Sequence, residues 1–229
     1  MIKVIAFDAD DTLWVNEPFF REAEEKFTEM LEDFMPQHSS LKELYHTEIE
    51  NINIYGYGIK GFMLSMIETA IRVSEKNIPI TMIERIMDIG KEMMSKPVEM
   101  LPEVEQVLKE LSSDYRLVMA TKGDLVDQER KLKKSGLEAY FHHIEIMSEK
   151  KEADFLKLIK HLDISPSEFL MIGNSLKSDI LPVLKLGGHA IHIPFHVTWK
   201  HEMIHHEIEH ENFYQAEQIS HIIPLIKEM

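Results

Sequence analysis

The sequence predicts an α/β fold in which a parallel sheet carries helices on both faces, with an all-helical segment inserted after the first strand. Three observations lead to this prediction. Residues 2–7 form a short apolar run, residues 16–96 show only helical patterns, and strand-like and helix-like segments alternate after Pro97. Alternation of this kind favours right-handed βαβ units and therefore a parallel sheet.

The first strand is predicted at residues 2–7, a run rich in isoleucine and valine that lacks a helical period. Helices are expected next at 18–35, 41–52, 62–76 and 81–95. The apolar residues of the first helix recur at steps of three and four, as in an amphipathic helix: Phe20, Ala23, Phe27, Met30, Leu31 and Phe34. The glycine-rich stretch YGYGIKG, residues 55–61, predicts a loop between the second and third helices.

Strands and helices alternate in the second part of the chain. The predicted helices are 103–112, 124–135, 151–161 and 177–186, and the predicted strands are 115–120, 143–147, 168–172 and 189–193. We therefore expect two domains: an α/β core made of 1–15 and 97–229, and a helical domain made of 16–96. The residues after 193 are interpreted as a tail.

The composition excludes several classes of function. The chain has 229 residues, and its 25 basic against 40 acidic residues give a net charge of −15, which disfavours binding to nucleic acids or anionic membranes. The absence of cysteine excludes disulfides and thiolate metal sites. There is no apolar run of about 18 residues and no secretory signal pattern, so a cytoplasmic protein is expected.

Polar residues follow each predicted strand of the core. Ligands bind beyond the carboxyl ends of parallel strands, so we expect these side chains to converge on one cleft. They are Asp8 and Asp10 after the first strand, Thr121 and Lys122 after the second, Lys150 after the third, and Asn174 and Asp179 after the fourth.

Asp8 and Asp10 repel each other at this spacing unless a cation offsets their charge. Hard oxygen donors suit Mg²⁺, so Asp8, Asp10, Asp179 and Asn174 are the predicted metal ligands. Asp8 can attack phosphorus as a nucleophile and form an aspartyl-phosphate. Asp10 can protonate the leaving alcohol and later accept a proton from water. Asp11 is interpreted as a solvated or capping acid.

Other residues are candidates for binding an anionic substrate. Thr121 offers a hydroxyl before a helix start, and Lys150 supplies a fixed positive charge. Lys122 is a further candidate, although an exposed surface lysine is the simpler interpretation. Tyr57 and Lys60 suit a lid over an anionic ligand, and a plain connection between helices explains the same loop equally well.

The motifs resemble those of a known family, the haloacid dehalogenase-like hydrolases. FDADDTL, residues 7–13, resembles its first motif, DxDxT, with Asp8, Asp10 and Thr12 in the defined positions. The strand ending in Thr121 resembles the second motif. The resemblance covers the whole chain, because the remaining two motifs follow in the family's order.

Lys150 resembles the lysine of the third motif, and GNSLKSD, residues 173–179, resembles the fourth, usually written GDxxxxD. The resemblance implies a Rossmann-like core with a helical cap inserted after the first motif. It also implies a Mg²⁺-dependent phosphatase acting on a small phosphorylated metabolite, since the family's dehalogenases lack the second aspartate, here Asp10. Asn174 departs from the pattern, so modest Mg²⁺ affinity is expected.

Several alternatives stay open at this point. Lys151 competes with Lys150 for the role of active-site lysine. A non-catalytic protein that binds a phosphorylated ligand fits the same fold. The tail contains His201, Glu202 and His205 in the spacing HExxH, which would indicate a zinc site if it lay on a helix within a cleft.

Overall fold

The computed structural model describes residues 1–229 and contains a six-stranded sheet in which every neighbouring pair is parallel. Its strands are β1 (Val4–Phe7), β2 (Arg116–Lys122), β3 (His143–Met147), β4 (Phe169–Gly173), β5 (His189–His192) and β6 (Phe213–Gln215). The strand order is β3-β2-β1-β4-β5-β6. The predicted α/β class is therefore confirmed.

Nine α-helices accompany the sheet. They are α1 (Glu17–Met30), α2 (Gln37–Tyr55), α3 (Ile59–Val73), α4 (Ile80–Ser95), α5 (Val104–Leu111), α6 (Leu125–Ser135), α7 (Glu152–His161), α8 (Leu181–Lys185) and α9 (Ile222–Lys227). The first four form the predicted helical insertion between β1 and β2. None of the nine is long and apolar enough to cross a membrane.

The chain divides into two compact units. The α/β unit comprises 1–17, 98–122 and 128–229, and the helical unit comprises 18–97 and 123–127. The helical unit thus includes the short segment that follows β2 and contains the beginning of α6.

The sheet buries both of its faces, which explains why β1 and β4 are continuous apolar runs. Side chains alternate between faces along a strand. Ile5 and Phe7 therefore lie in one apolar cluster with residues of α5 and α9, whereas Val4 and Ala6 lie in another with residues of α7. Because all six strands are parallel, their carboxyl ends lie on the same side of this packed sheet.

The helical unit has an apolar core of its own. Residues from all four of its helices meet there, including Phe27, Leu44, Met66 and Ile86. The predicted loop at 55–61 is shorter than expected, because α2 ends at Tyr55 and α3 begins at Ile59. The turn needs glycine at position 58, where φ is +103°.

The predicted helix at 177–186 is present, but its first part is a π-helical turn, Leu176–Ile180, and only the second part, α8, is α-helical. One expectation for the C-terminal part of the core was wrong. The residues after 193 are more than a tail, because they contain β6 and α9. A strand of three residues is too short to show a periodic pattern, and α9 is anchored by only two fully buried residues, Ile222 and Ile226.

Candidate active site

The turn after β1 is organised by Asp11. Its φ of +62° lies in the left-handed region, which aspartate tolerates better than most residues. Its carboxylate accepts hydrogen bonds from the backbone N–H groups of Asn16 (2.8 Å) and Glu17 (3.0 Å), the residue that begins α1. Asp11 is therefore a buried capping residue and not a solvated one, and burial raises its pKa to about 7.

Lys150 joins two of the predicted site residues. Its Nζ lies 2.5 Å from Oδ1 of Asp8 and 2.6 Å from Oδ1 of Asp179. The exposed fractions of the three side chains are 1% for Lys150, 10% for Asp8 and 1% for Asp179. A second hydrogen bond reaches Asp8 from the hydroxyl of Thr12, at 3.3 Å. Lys151, by contrast, is exposed.

The charges of this cluster do not cancel. Burial disfavours a charged lysine, but the neighbouring Asp179 and Asp8 outweigh it and raise the pKa of Lys150. Burial, together with the negative charge of Asp179, raises the pKa of Asp8 to about 7 although Lys150 acts in the opposite direction. One buried cation faces two buried carboxylates, so a further cation would favour ionised Asp8.

Asp179 is fixed by its own backbone surroundings. Its Oδ2 accepts a hydrogen bond from the backbone N–H of Ser175, at 2.9 Å. A Cβ at Gly173 would lie 2.2 Å from the same oxygen, so only glycine leaves room for this carboxylate.

Gly173→Ala should therefore displace Asp179 from Lys150. We expect the variant to fold with a lower melting temperature. Its free energy of unfolding should fall by about 1–3 kcal/mol, as is typical when an extra carbon is forced into a tightly packed site. Thermal unfolding measures this effect, and Gly136→Ala is the comparison, since a Cβ there would meet nothing within 4 Å and only the left-handed φ of +74° would cost stability. Equal stability of Gly173→Ala and the wild type would contradict the packing described here.

Asp10 has different partners from Asp8. Its carboxylate accepts hydrogen bonds from Nε1 of Trp14 (2.7 Å), Nε2 of Gln128 (2.8 Å) and Nζ of Lys131 (2.6 Å). Sequence reasoning missed Gln128 and Lys131. Their separation of three residues on α6, directly after β2, was the available signal, because it places both on one helix face.

Thr121 and Lys122 end β2. Thr121 is fully buried, and its hydroxyl donates to the carbonyl of Lys122 at 3.3 Å. Nζ of Lys122 donates to Oγ of Ser178 (2.9 Å) and lies 2.5 Å from Oε1 of Glu202. Lys122 is thus a largely buried, paired lysine, and the interpretation as an exposed surface residue was wrong.

The donors around Asn174 fit a hard cation. The amide nitrogen of Asn174 lies 3.3 Å from the backbone carbonyl of Asp10 and 3.3 Å from Oδ2 of Asp8, and it donates a hydrogen bond to each. When the amide turns over, its oxygen faces the same two oxygens, and the three together form a set of oxygen ligands. Mg²⁺ prefers oxygen ligands of this kind. Both carboxylate oxygens of Asp179, in contrast, are already held by Lys150 and Ser175.

Tyr57 and Lys60 belong to the helical unit. Nζ of Lys60 lies 2.9 Å from Oδ1 of Asp124, which also accepts a hydrogen bond from the backbone N–H of Asp127. Lys60 therefore has an acidic partner at the start of α6. Substrate binding by Tyr57 and Lys60 stays a prediction.

The HExxH segment lacks the helix that a zinc site of that type requires. His201 and Glu202 lie in a three-residue 3₁₀ turn, Lys200–Glu202, and His205 lies outside it. No group of three or more His, Asp or Glu side chains in the chain is arranged to hold a metal. The carboxylate of Glu202 instead contacts Lys122 and the serines that follow β4.

Comparisons with known proteins agree with the motifs. The model of the haloacid dehalogenase-like hydrolase family matches residues 2–187. A haloacid dehalogenase-like family hydrolase from Xanthomonas campestris has 35% sequence identity and a TM-score of 0.90, with 99% of this chain and 91% of that chain covered.

Two curated relatives are phosphatases by name. Glyceraldehyde 3-phosphate phosphatase of Methanopyrus kandleri is 25% identical over 199 residues, which cover 84% of each chain. N-acylneuraminate-9-phosphatase of Mus musculus is 31% identical over 90 residues, which cover 37% of this chain and 36% of that protein.

Proposed function

The chain belongs to the haloacid dehalogenase-like hydrolase family, and on that premise we propose that it is a phosphatase for small phosphomonoesters. The observation that carries the proposal is the buried group of Asp8, Lys150 and Asp179, with Asp10 only two residues from Asp8. It combines a nucleophile, a fixed cation and an acid. The names of the two curated relatives favour phosphorylated sugars and sugar acids as substrates.

Asp8 is the proposed nucleophile. Its Oδ2, the carboxylate oxygen that Lys150 does not bind, forms a bond to phosphorus while the bond from phosphorus to the leaving oxygen breaks, which yields an aspartyl-phosphate and an alcohol. Lys150 holds the other oxygen of Asp8 and keeps positive charge beside the phosphoryl group. Thr121 is proposed to bind a phosphoryl oxygen through its hydroxyl.

Asp10 is the proposed acid and base. It protonates the leaving oxygen in the first step and accepts a proton from the attacking water in the second. Its hydrogen bonds with Trp14, Gln128 and Lys131 fix the orientation of this carboxylate. Mg²⁺, which Asp8, the carbonyl of Asp10 and Asn174 would hold, supplies charge neutralisation for the phosphoryl group when it is bound.

Phosphate release tests this proposal. The purified protein should hydrolyse a generic aryl phosphate in the presence of Mg²⁺, and a panel of sugar, nucleotide and small-acid phosphates should show a preference for a phosphorylated sugar or sugar acid. A protein that binds these compounds without releasing phosphate would instead be a non-catalytic, phospholigand-binding member of the family.

Asn174→Asp should tighten Mg²⁺ binding. The substitution adds one negative charge beside Asp8 and the carbonyl of Asp10, so we expect the dissociation constant for Mg²⁺ to fall by about tenfold or more. Calorimetric titration measures this constant without relying on activity. For the wild type we expect modest affinity for Mg²⁺, because the Asn174 side chain carries no charge. Saturation of the wild type at nanomolar Mg²⁺ would contradict this expectation.

A further inference from the structure

Glu202 projects from a long, irregular connection into the α/β unit. It ends the 3₁₀ turn Lys200–Glu202 between β5 and β6. None of the five residues on either side of it along the chain is buried, whereas only 12% of its own side chain is accessible. A carboxylate this far from solvent requires partners that offset its charge.

Three donors surround this carboxylate. Nζ of Lys122 lies 2.5 Å from Oε1, and the hydroxyls of Ser175 and Ser178 each lie 2.5 Å from Oε2. Burial disfavours the charged form, but Lys122 and the two serines outweigh it and hold the pKa of Glu202 at about 2. Glu202 is therefore an anion at neutral pH.

The donors come from two separate parts of the proposed site. Lys122 directly follows Thr121 at the end of β2, whereas Ser175 caps the π-helical turn after β4 and Ser178 lies within that turn. Glu202 therefore joins the ends of two strands that are separated by β1 in the sheet.

The contacts continue from Glu202 to the proposed nucleophile. Oγ of Ser175 accepts a hydrogen bond from the N–H of Ser178, and the N–H of Ser175 donates to Asp179. Asp179 binds Lys150, which in turn binds Asp8. The position of Ser175 thus affects a chain of buried polar contacts that ends at the proposed nucleophile.

We propose that Glu202 is a positioning residue of the phosphatase site, which holds Lys122 and the first turn after β4 in the arrangement that orients Asp179, Lys150 and Asp8. This inference rests on the proposed function. Its effect passes through Ser175 and Lys122.

Three variants test the proposal. Glu202→Ala removes the charge and the acceptor oxygens, whereas Glu202→Gln keeps an oxygen for the serines and removes only the charge. Glu207→Gln is the matched control, because Glu207 is an exposed glutamate in the same connection. Each variant is first compared with the wild type by circular dichroism, and Glu202→Gln serves alone if the alanine variant does not fold.

Steady-state kinetics with an aryl phosphate separate positioning from general stability. We expect kcat to fall by about tenfold to a hundredfold in Glu202→Ala and less in Glu202→Gln, while KM changes by less than about threefold. Glu207→Gln should match the wild type. A folded Glu202→Ala variant with unchanged kcat, or with only KM raised, would overturn the proposal.

Hydrogen exchange keeps this test distinct from the test of the proposed function. Amides at 175–179 should exchange at least about tenfold faster in Glu202→Ala, while those of β1 should not change. If the wild type releases no phosphate, the proposed function fails. In that case, accelerated exchange would still support the anchoring role of Glu202, and unchanged exchange would overturn it.

Discussion

Asp8→Asn should abolish phosphate release. We expect kcat to fall by at least about a thousandfold, because the amide cannot form the bond to phosphorus that starts the reaction. The fold should survive the change. Burial raises the pKa of Asp8 to about 7 from its ordinary value of 3.8, so the ionised side chain is less favourable in the folded protein than in the unfolded chain. A neutral amide removes that cost, and Lys150 keeps Asp179 as a partner.

The sign of the pH effect follows from that pKa shift. Asp8 binds its proton more tightly in the folded state, so its contribution to the free energy of unfolding decreases as pH rises from about 4 to about 7. Asp8→Asn should lack this contribution, and its melting temperature should depend less on pH over that interval. Asp114→Asn, an exposed substitution on the same unit, is the control and should retain full activity. Retention of activity by Asp8→Asn would refute the assignment of the nucleophile.

Lys150→Met should reduce both stability and activity. The side chains of Asp8 and Asp179 would lose their shared cation while they stay buried, and the loss of one partner from a buried ion pair costs about 3–5 kcal/mol. We expect kcat to fall by at least about a hundredfold, because the phosphoryl group also loses a fixed positive charge. Denaturant unfolding and phosphate release measure the two effects.

Lys151→Met is the matched control for this experiment. Its side chain is 69% exposed, and its Nζ lies 3.9 Å from the nearest carboxylate oxygen, on Glu149. An exposed pair of this kind contributes about 0–1 kcal/mol, so stability and activity should stay close to those of the wild type. Loss of activity in Lys151→Met with normal activity in Lys150→Met would show that the active-site lysine had been assigned to the wrong neighbour.

The sequence predicted the parts of the fold that have strong local patterns. Buried parallel strands appear as short apolar runs, and polar residues at their carboxyl ends converge because parallel strands end at the same edge of the sheet. That rule placed Asp8, Lys150 and Asp179 in one region before their contacts were known. β6 escaped prediction because its three residues show neither an apolar run nor an alternation.

The partners of the site residues were less accessible to sequence reasoning. Lys131 binds Asp10 from a position 121 residues away in the chain, and Glu202 binds Lys122 from a position 80 residues away. Contacts between residues so far apart in the chain depend on the tertiary fold. No motif in the sequence predicts that Lys131 binds Asp10 or that Glu202 binds Lys122. The HExxH spacing drew attention to Glu202 for a zinc role, whereas the structure places it among Lys122, Ser175 and Ser178.

The central claim is that Asp8 becomes phosphorylated during turnover. The most direct measurement is acid quenching of the enzyme during hydrolysis of an aryl phosphate, followed by mass spectrometry of its peptides. We predict a peptide that contains Asp8 and carries the mass of one phosphoryl group, present in the wild type and absent in Asp8→Asn. Active turnover with no modified peptide in the wild type, or with the phosphoryl group on a different residue, would contradict the proposed mechanism.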